Sequence, residues 1–189
     1  MPVLQIVVGS TRPGRVGAPV AAWIAERARE HGGFDVEVLD LAEIDLPMFD
    51  EPIHPVRAQY TNEHTKRWSA TVARGDAHVF VTPEYNGSYP GSLKNAIDFL
   101  NHEWRYKPAG IVSYGGVSAG TRAAVALRSV LTTLRMVPAV DAVHIPFIGE
   151  KIADDGTLVA NDVMIAAAKT MFDEIARLRT AIDPLRPRA

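Results

Sequence analysis

An α/β domain with a parallel sheet covered by helices on both faces is the fold class this sequence predicts. Three observations carry it. Short apolar runs alternate with longer segments of helical period, five of each, from end to end. The runs have little polar alternation, as expected of strands buried on both faces between helices. No internal repeat and no linker divides the 189 residues, a length that suits one domain burying roughly 70% of its unfolded surface. Right-handed crossovers then leave few arrangements open.

The elements run in order. Val3 to Val8 is an apolar strand. From Gly17 to His31, Val20, Ile24 and Ala28 recur at helical spacing, and Gly32-Gly33 ends that helix. Phe34 to Leu39 forms a second strand. Pro47 and Pro55 and the weak periodicity between Ala42 and Pro55 predict a long loop. A helix is expected from about Ala58 to Arg74, with Trp68 and Val72 on one face. Ala77 to Val81 is a third strand, residues 82–90 a loop, and Leu93, Ile97 and Leu100 the inner face of the next helix. Ala109 to Ser113 is a fourth strand, leading through Gly115-Gly116 to a helix from about Gly120 to Met136. A fifth strand near Ala139 to His144, a loop over 146–160 and a helix over Asp162 to Ile182 complete the domain, 1–182. The tail, 183–189, is broken by Pro184 and Pro187 and is expected to be loose.

Composition narrows the function. The chain has 47% hydrophobic and 22% charged residues and a formal charge of −2, so no basic surplus points to nucleic acid or an anionic membrane. It contains no cysteine, which excludes disulfides, thiolate metal sites and cysteine nucleophiles. No signal segment opens it and its apolar runs are too short to span a bilayer, so a cytoplasmic location is expected. The histidines at 31, 54, 64, 78, 102 and 144 make no ligand pair, and no metal site is expected. Trp23 and Trp68 read as core. Trp104 could be core, interface or site rim.

Ligands of a doubly wound sheet bind beyond the carboxyl ends of the strands, so the residues just after each strand decide the chemistry. After the first come Gly9, Ser10, Thr11, Arg12, Pro13, Gly14, Arg15, Val16 and Gly17. Inward amides, hydroxyls and two arginines beside a helix N-terminus suit a phosphate monoester. A triphosphate loop is excluded, because Arg15 stands where lysine is required and Val16 where a magnesium-binding hydroxyl is required. After the third strand, Thr82 to Asp98 begins with an Asn86-Gly87 turn whose exposed amides could meet the edge of a flat heterocycle, bordered by tyrosines.

The run Pro83-Glu84-Tyr85-Asn86-Gly87 onward to Asp98, with Gly9-Ser10-Thr11-Arg12 before it and Gly115-Gly116 after it, resembles the signature of the NADPH-dependent FMN reductase family, which includes quinone, chromate and azo-dye reductases. The similarity covers about residues 3 to 145. It implies a flavodoxin-like fold with strand order 2-1-3-4-5, and FMN as cofactor with NADPH or NADH as donor. The acceptor would be small: a quinone, free flavin, azo compound or metal oxyanion. It places the FMN phosphate on Ser10, Thr11 and Arg12, the ring against Pro83, Glu84, Tyr85, Asn86 and Gly87, and Ser113, Gly115 and Gly116 on its far side. Many relatives carry serine and asparagine where this chain has Arg15 and Gly17, which makes Arg15 a candidate substitute contact. The resemblance also implies a homodimer or homotetramer, with Leu46-Pro47-Met48-Phe49 reaching a neighbouring flavin. No catalytic side chain is implied, since the flavin carries the chemistry.

Two other classes fit parts of the sequence. Gly116-Val117-Ser118-Ala119-Gly120 matches a nucleophile elbow between strand and helix, but only Asp141 and His144 could complete a triad, three residues apart on one strand. An electron carrier without turnover would be expected to be more acidic than this nearly neutral chain.

Overall fold

A computed structural model describes residues 1–186. Its sheet is parallel, with strands β1 (Val3–Val8), β2 (Asp35–Asp40), β3 (Ala77–Pro83), β4 (Pro108–Tyr114), β5 (Val137–Pro138) and β6 (Val143–Ile145). The order is β2-β1-β3-β4-β5, and β6 also pairs with β4. Every residue of β3 and β4 is buried, which is why both read as nearly continuous apolar runs.

Alternation along the strands divides two cores. Leu4, Ile6, Val8, Val79 and Val81 face α1 (Gly17–His31) and α6 (Asp162–Ile182), meeting Val20, Ile24, Met171 and Phe172. Val7, Phe80 and Ile111 face the opposite layer. That layer is α3 (Glu63–Arg74), α4 (Gly91–Asp98) and α5 (Thr121–Thr133), after the single-turn α2 (Leu41–Ile44). Trp68 and Trp104 lie in the second core, their Nε1–H groups donating to the carbonyls of Ala96 at 2.8 Å and Ile97 at 3.1 Å. Trp104 is therefore core.

Four boundaries differ from the sequence expectation, each for a local reason. The fifth strand is split. The Ala139 amide still donates to Ala109 of β4 at 2.8 Å, but residues 140–142 leave the ladder, and side chains take over backbone groups from 139 to 141. Arg128 donates to the carbonyls of Ala139 and Val140 at 2.6 and 2.9 Å, and Glu174 accepts from the amides of Val140 and Asp141 at 3.0 and 2.9 Å. The sheet thus has six strand segments, not five.

The helix expected from Ala58 begins at Glu63. Ala58 is left-handed, with φ 51°, and the buried Glu51 carboxylate accepts from the amides of Thr61 and Asn62, both at 2.9 Å. Burial raises the pKa of Glu51, but these bonds and one from the Thr61 hydroxyl at 3.0 Å outweigh it and hold it at about 2. Within the loop expected over 42–55, Asp40 caps α2 by accepting from the amide of Ala42 at 3.0 Å. The tail opens with a 3₁₀ turn, Asp183–Leu185, after which Arg186 reaches Asp76 at 2.6 Å. Residues 187–189 lie outside the described residues.

Candidate functional site

Strand order 2-1-3-4-5 reverses the direction of winding between β1 and β3, and the crevice beyond their carboxyl ends is the natural ligand position of such a sheet. Three connections meet there: 9–16 after β1, 84–90 after β3 and 115–120 after β4.

The first connection leaves the ladder at Gly9, whose amide still donates to the carbonyl of Val81 at 2.9 Å. Ser10 is buried, its Oγ 2.8 Å from the hydroxyl of Tyr85, so the first and second connections touch. Thr11 and Arg12 are exposed, and Gly14 turns the chain with φ 70°. The Arg15 guanidinium pairs with Asp40 at 2.5 Å. The first turn of the 15-residue α1 has no side-chain cap and no acidic residue. Its free N–H groups, those of Gly17 and Ala18 since Pro19 has none, therefore end a helix dipole beside Arg12, and nothing among the described residues accepts from them. Gly17 is required by packing, since a Cβ there would lie 2.9 Å from the Tyr114 hydroxyl.

In the second connection, Tyr85 and Ser88 exchange both backbone hydrogen bonds, at 2.7 and 3.0 Å. Asn86 and Gly87 between them have φ of 51° and 81°, the primed two-residue turn that an Asn-Gly pair favours. Glu84 donates its amide to the carbonyl of Tyr114 at 3.2 Å, and its carboxylate turns toward α5.

Ser113 is buried under the third connection. Its hydroxyl donates to the carbonyl of Ala119 at 2.8 Å, so at 2.7 Å from His144 Nδ1 its oxygen accepts a hydrogen bond from that ring nitrogen. Burial, then Arg128, lowers the His144 pKa below the ordinary imidazole value, which keeps the ring neutral. Ser113 supports the loop from beneath and presents no hydroxyl to the crevice. Gly115 is tied on both sides, donating to the carbonyl of Ile145 at 3.2 Å and accepting from the amide of Ile148 at 3.0 Å. Gly120, at φ 75°, lies so close to β4 that a Cβ would be 2.8 Å from the Tyr114 backbone.

A cavity of about 180 Å³ opens among these loops, lined by Arg12, Arg15, Pro83, Glu84, Tyr85 and Gly115 together with Val16, Tyr114 and Ile148. Six of the residues expected from sequence thus share one cavity. Thr11 instead borders a neighbouring cavity of about 470 Å³, with Leu41, Met48 and Asn95. Asn86, Gly87 and Gly116 stand exposed at the loop tips. Tyr114 gives no signal of its place here, because in sequence it is only the last residue of an apolar strand. Burial, then Tyr85, raises its hydroxyl pKa well above the ordinary value, against the pull of Arg12 and Arg15.

The nucleophile-elbow expectation does not assemble. Ser118 Oγ donates to Glu84 at 3.1 Å, while His144 is bonded to Ser113.

The model of the NADPH-dependent FMN reductase family matches residues 1–150. The chain belongs to this family. Membership makes it an enzyme, an FMN-dependent NAD(P)H oxidoreductase. It is 43% identical over 149 residues to an NAD(P)H-dependent FMN reductase of Schizosaccharomyces pombe, covering 77% of this chain and 74% of that protein. A quinone reductase of Pseudomonas putida is 36% identical over 139 residues, 70% of this chain and 71% of its own length. Among solved structures, the flavoenzyme NAD(P)H:acceptor oxidoreductase of Paracoccus denitrificans superposes with a TM-score of 0.76 at 24% identity, over 96% of this chain and 99% of that one. The last likeness establishes the flavodoxin-like fold.

Proposed function

We propose that FMN lies across this crevice with its phosphate at the start of α1 and its ring between the second and third connections. The uncapped α1 N-terminus carries the assignment: backbone donors beside an exposed arginine, with no acceptor among the described residues. Arg12 and Thr11 would hold the phosphate; the Arg15–Asp40 pair braces the loop and leaves the added charge to Arg12. Backbone from Pro83 to Gly87 and at Gly115-Gly116 would border the ring, with the Tyr85 and Tyr114 side chains closing the cavity. When bound, FMN takes two electrons from NADPH or NADH and returns them to an acceptor. The chain's own contribution is alignment, exclusion of water and fixed dipoles around the ring.

The acceptor we assign is a small diffusible molecule such as a quinone, free flavin, azo compound or metal oxyanion. No helix among the described residues is long and apolar enough to cross a membrane. A cytoplasmic homodimer or homotetramer, in which the 46–49 segment approaches a neighbouring site, completes the reading. Asn95 supports that role by pinning the segment: its side chain donates to the carbonyl of Pro47 at 2.7 Å and accepts from the amide of Phe49 at 2.9 Å, leaving Met48 81% exposed. Titration of FMN and riboflavin into the protein, with the visible spectrum followed before and after NADPH, tests the core of the reading. Failure to bind FMN, or failure of bound FMN to bleach, would refute it.

A further inference from the structure

The second and third connections are joined by a single carboxylate. Glu84, first residue beyond β3, has a side chain only 6% exposed. One of its oxygens accepts from the Ser118 hydroxyl at 3.1 Å and from the amide of Arg122 at 3.2 Å. The other accepts from Arg122 Nε at 2.5 Å and also meets its Nη2. Arg122 lies in the first turn of α5, and its side chain is 67% exposed. Burial pushes the Glu84 carboxyl up, but the bonds from Arg122 and Ser118 prevail and hold it below its ordinary value. The carboxylate is therefore charged at neutral pH, on a residue that lines the cavity.

We propose that Glu84, Ser118 and Arg122 form a clamp that sets the spacing between the Pro83–Gly87 turn and the Gly115-Gly116 segment, and that Arg122 cancels the Glu84 charge beside a ring that must accept electrons. The inference rests on the FMN reading above. Ser118 and Arg122 are positioning residues, acting through Glu84. An uncompensated carboxylate in this wall would oppose each added electron, whereas an uncompensated guanidinium would favour it; the pair is close to neutral.

That opposition in sign supplies the test. Glu84→Gln keeps the shape of the side chain, Arg122→Gln shortens it but leaves an amide, and each removes one charge while keeping polar atoms in the clamp. The two-electron midpoint potential of the FMN-loaded proteins is measured by equilibration with a reference dye, together with the Kd of oxidised FMN from fluorescence quenching. Glu84→Gln should raise the potential and Arg122→Gln lower it. Each change corresponds to about a tenfold shift in affinity for reduced relative to oxidised FMN, about 30 mV for a two-electron couple. The double variant should return close to the wild-type potential. A purely structural contact would move both single variants in the same direction, and that result, or two unchanged potentials with FMN still bound, would overturn the clamp alone. A wild-type protein that binds no FMN would overturn the preceding reading and the clamp with it.

Discussion

Arg12 offers the most direct test of the phosphate position. Of the two arginines in the first connection, Arg15 is already neutralised by Asp40 at 2.5 Å, so Arg12 supplies the charge that a phosphate would meet. A hydrogen bond to a charged group contributes about 1.5–3 kcal/mol, which is roughly 10- to 150-fold in affinity at about 1.4 kcal/mol per tenfold. Arg12 is exposed, and solvent screening places the effect at the lower end, so Arg12→Ala should weaken FMN about tenfold. Binding should survive, because the α1 amides are untouched. Riboflavin, which has no phosphate, should bind wild type and variant nearly alike. Added salt should weaken FMN binding to the wild type more than to the variant. Fluorescence titration of both flavins into both proteins at two ionic strengths reads all of this. Equal losses for FMN and riboflavin would show that Arg12 supports the loop and not the phosphate.

Three more outcomes are expected. Gly17→Ala puts a Cβ 2.9 Å from the Tyr114 hydroxyl, a clash that should destabilise by about 1–3 kcal/mol in denaturant unfolding. Adding Tyr114→Phe should recover most of the loss, and no recovery would refute the packing argument. Burial lowers the pKa of Lys107 to about 7, although its ammonium donates to the carbonyl of Val72 at 2.8 Å. The unfolded chain then binds more protons between about pH 7 and the ordinary lysine value of about 10.4, so stability should rise with pH across that window. Lys107→Met should flatten this rise; an unchanged slope would refute the assignment. Because one crevice would serve donor and acceptor in turn, steady-state velocities with NADPH and a quinone should follow ping-pong kinetics. Intersecting double-reciprocal lines would instead show both substrates bound together.

Much of the fold was legible because its signals are local. Strands covered on both faces are mostly apolar, and β1, β3 and β4 announce themselves in that way. The bounds of α1 and α6 come from Gly32, left-handed at φ 72°, and from Asn161, whose side chain caps the Met164 amide at 3.0 Å. The Asn86-Gly87 turn is likewise a property of two adjacent residues. The split of the fifth strand was not legible, since it depends on Arg128 and Glu174 arriving from two different helices.

The candidate site divides along the same line. By itself the sequence determined which loops could bind a phosphate and a flat ring, because small residues, hydroxyls and arginines after a buried strand have that capacity wherever the chain goes. Only the tertiary structure decided what each side chain does there. Arg15 and Asp40 stand 25 positions apart, and Glu84 and Arg122 stand 38 apart. Ser118 sits in a motif that permits a nucleophile, yet its hydroxyl donates a hydrogen bond to Glu84, and Ser113, expected beside the ring, is turned inward to Ala119. A hydroxyl's role is set by the acceptor within hydrogen-bond reach. Ser118 and Arg122 meet Glu84 only when β3 and β4 are laid side by side.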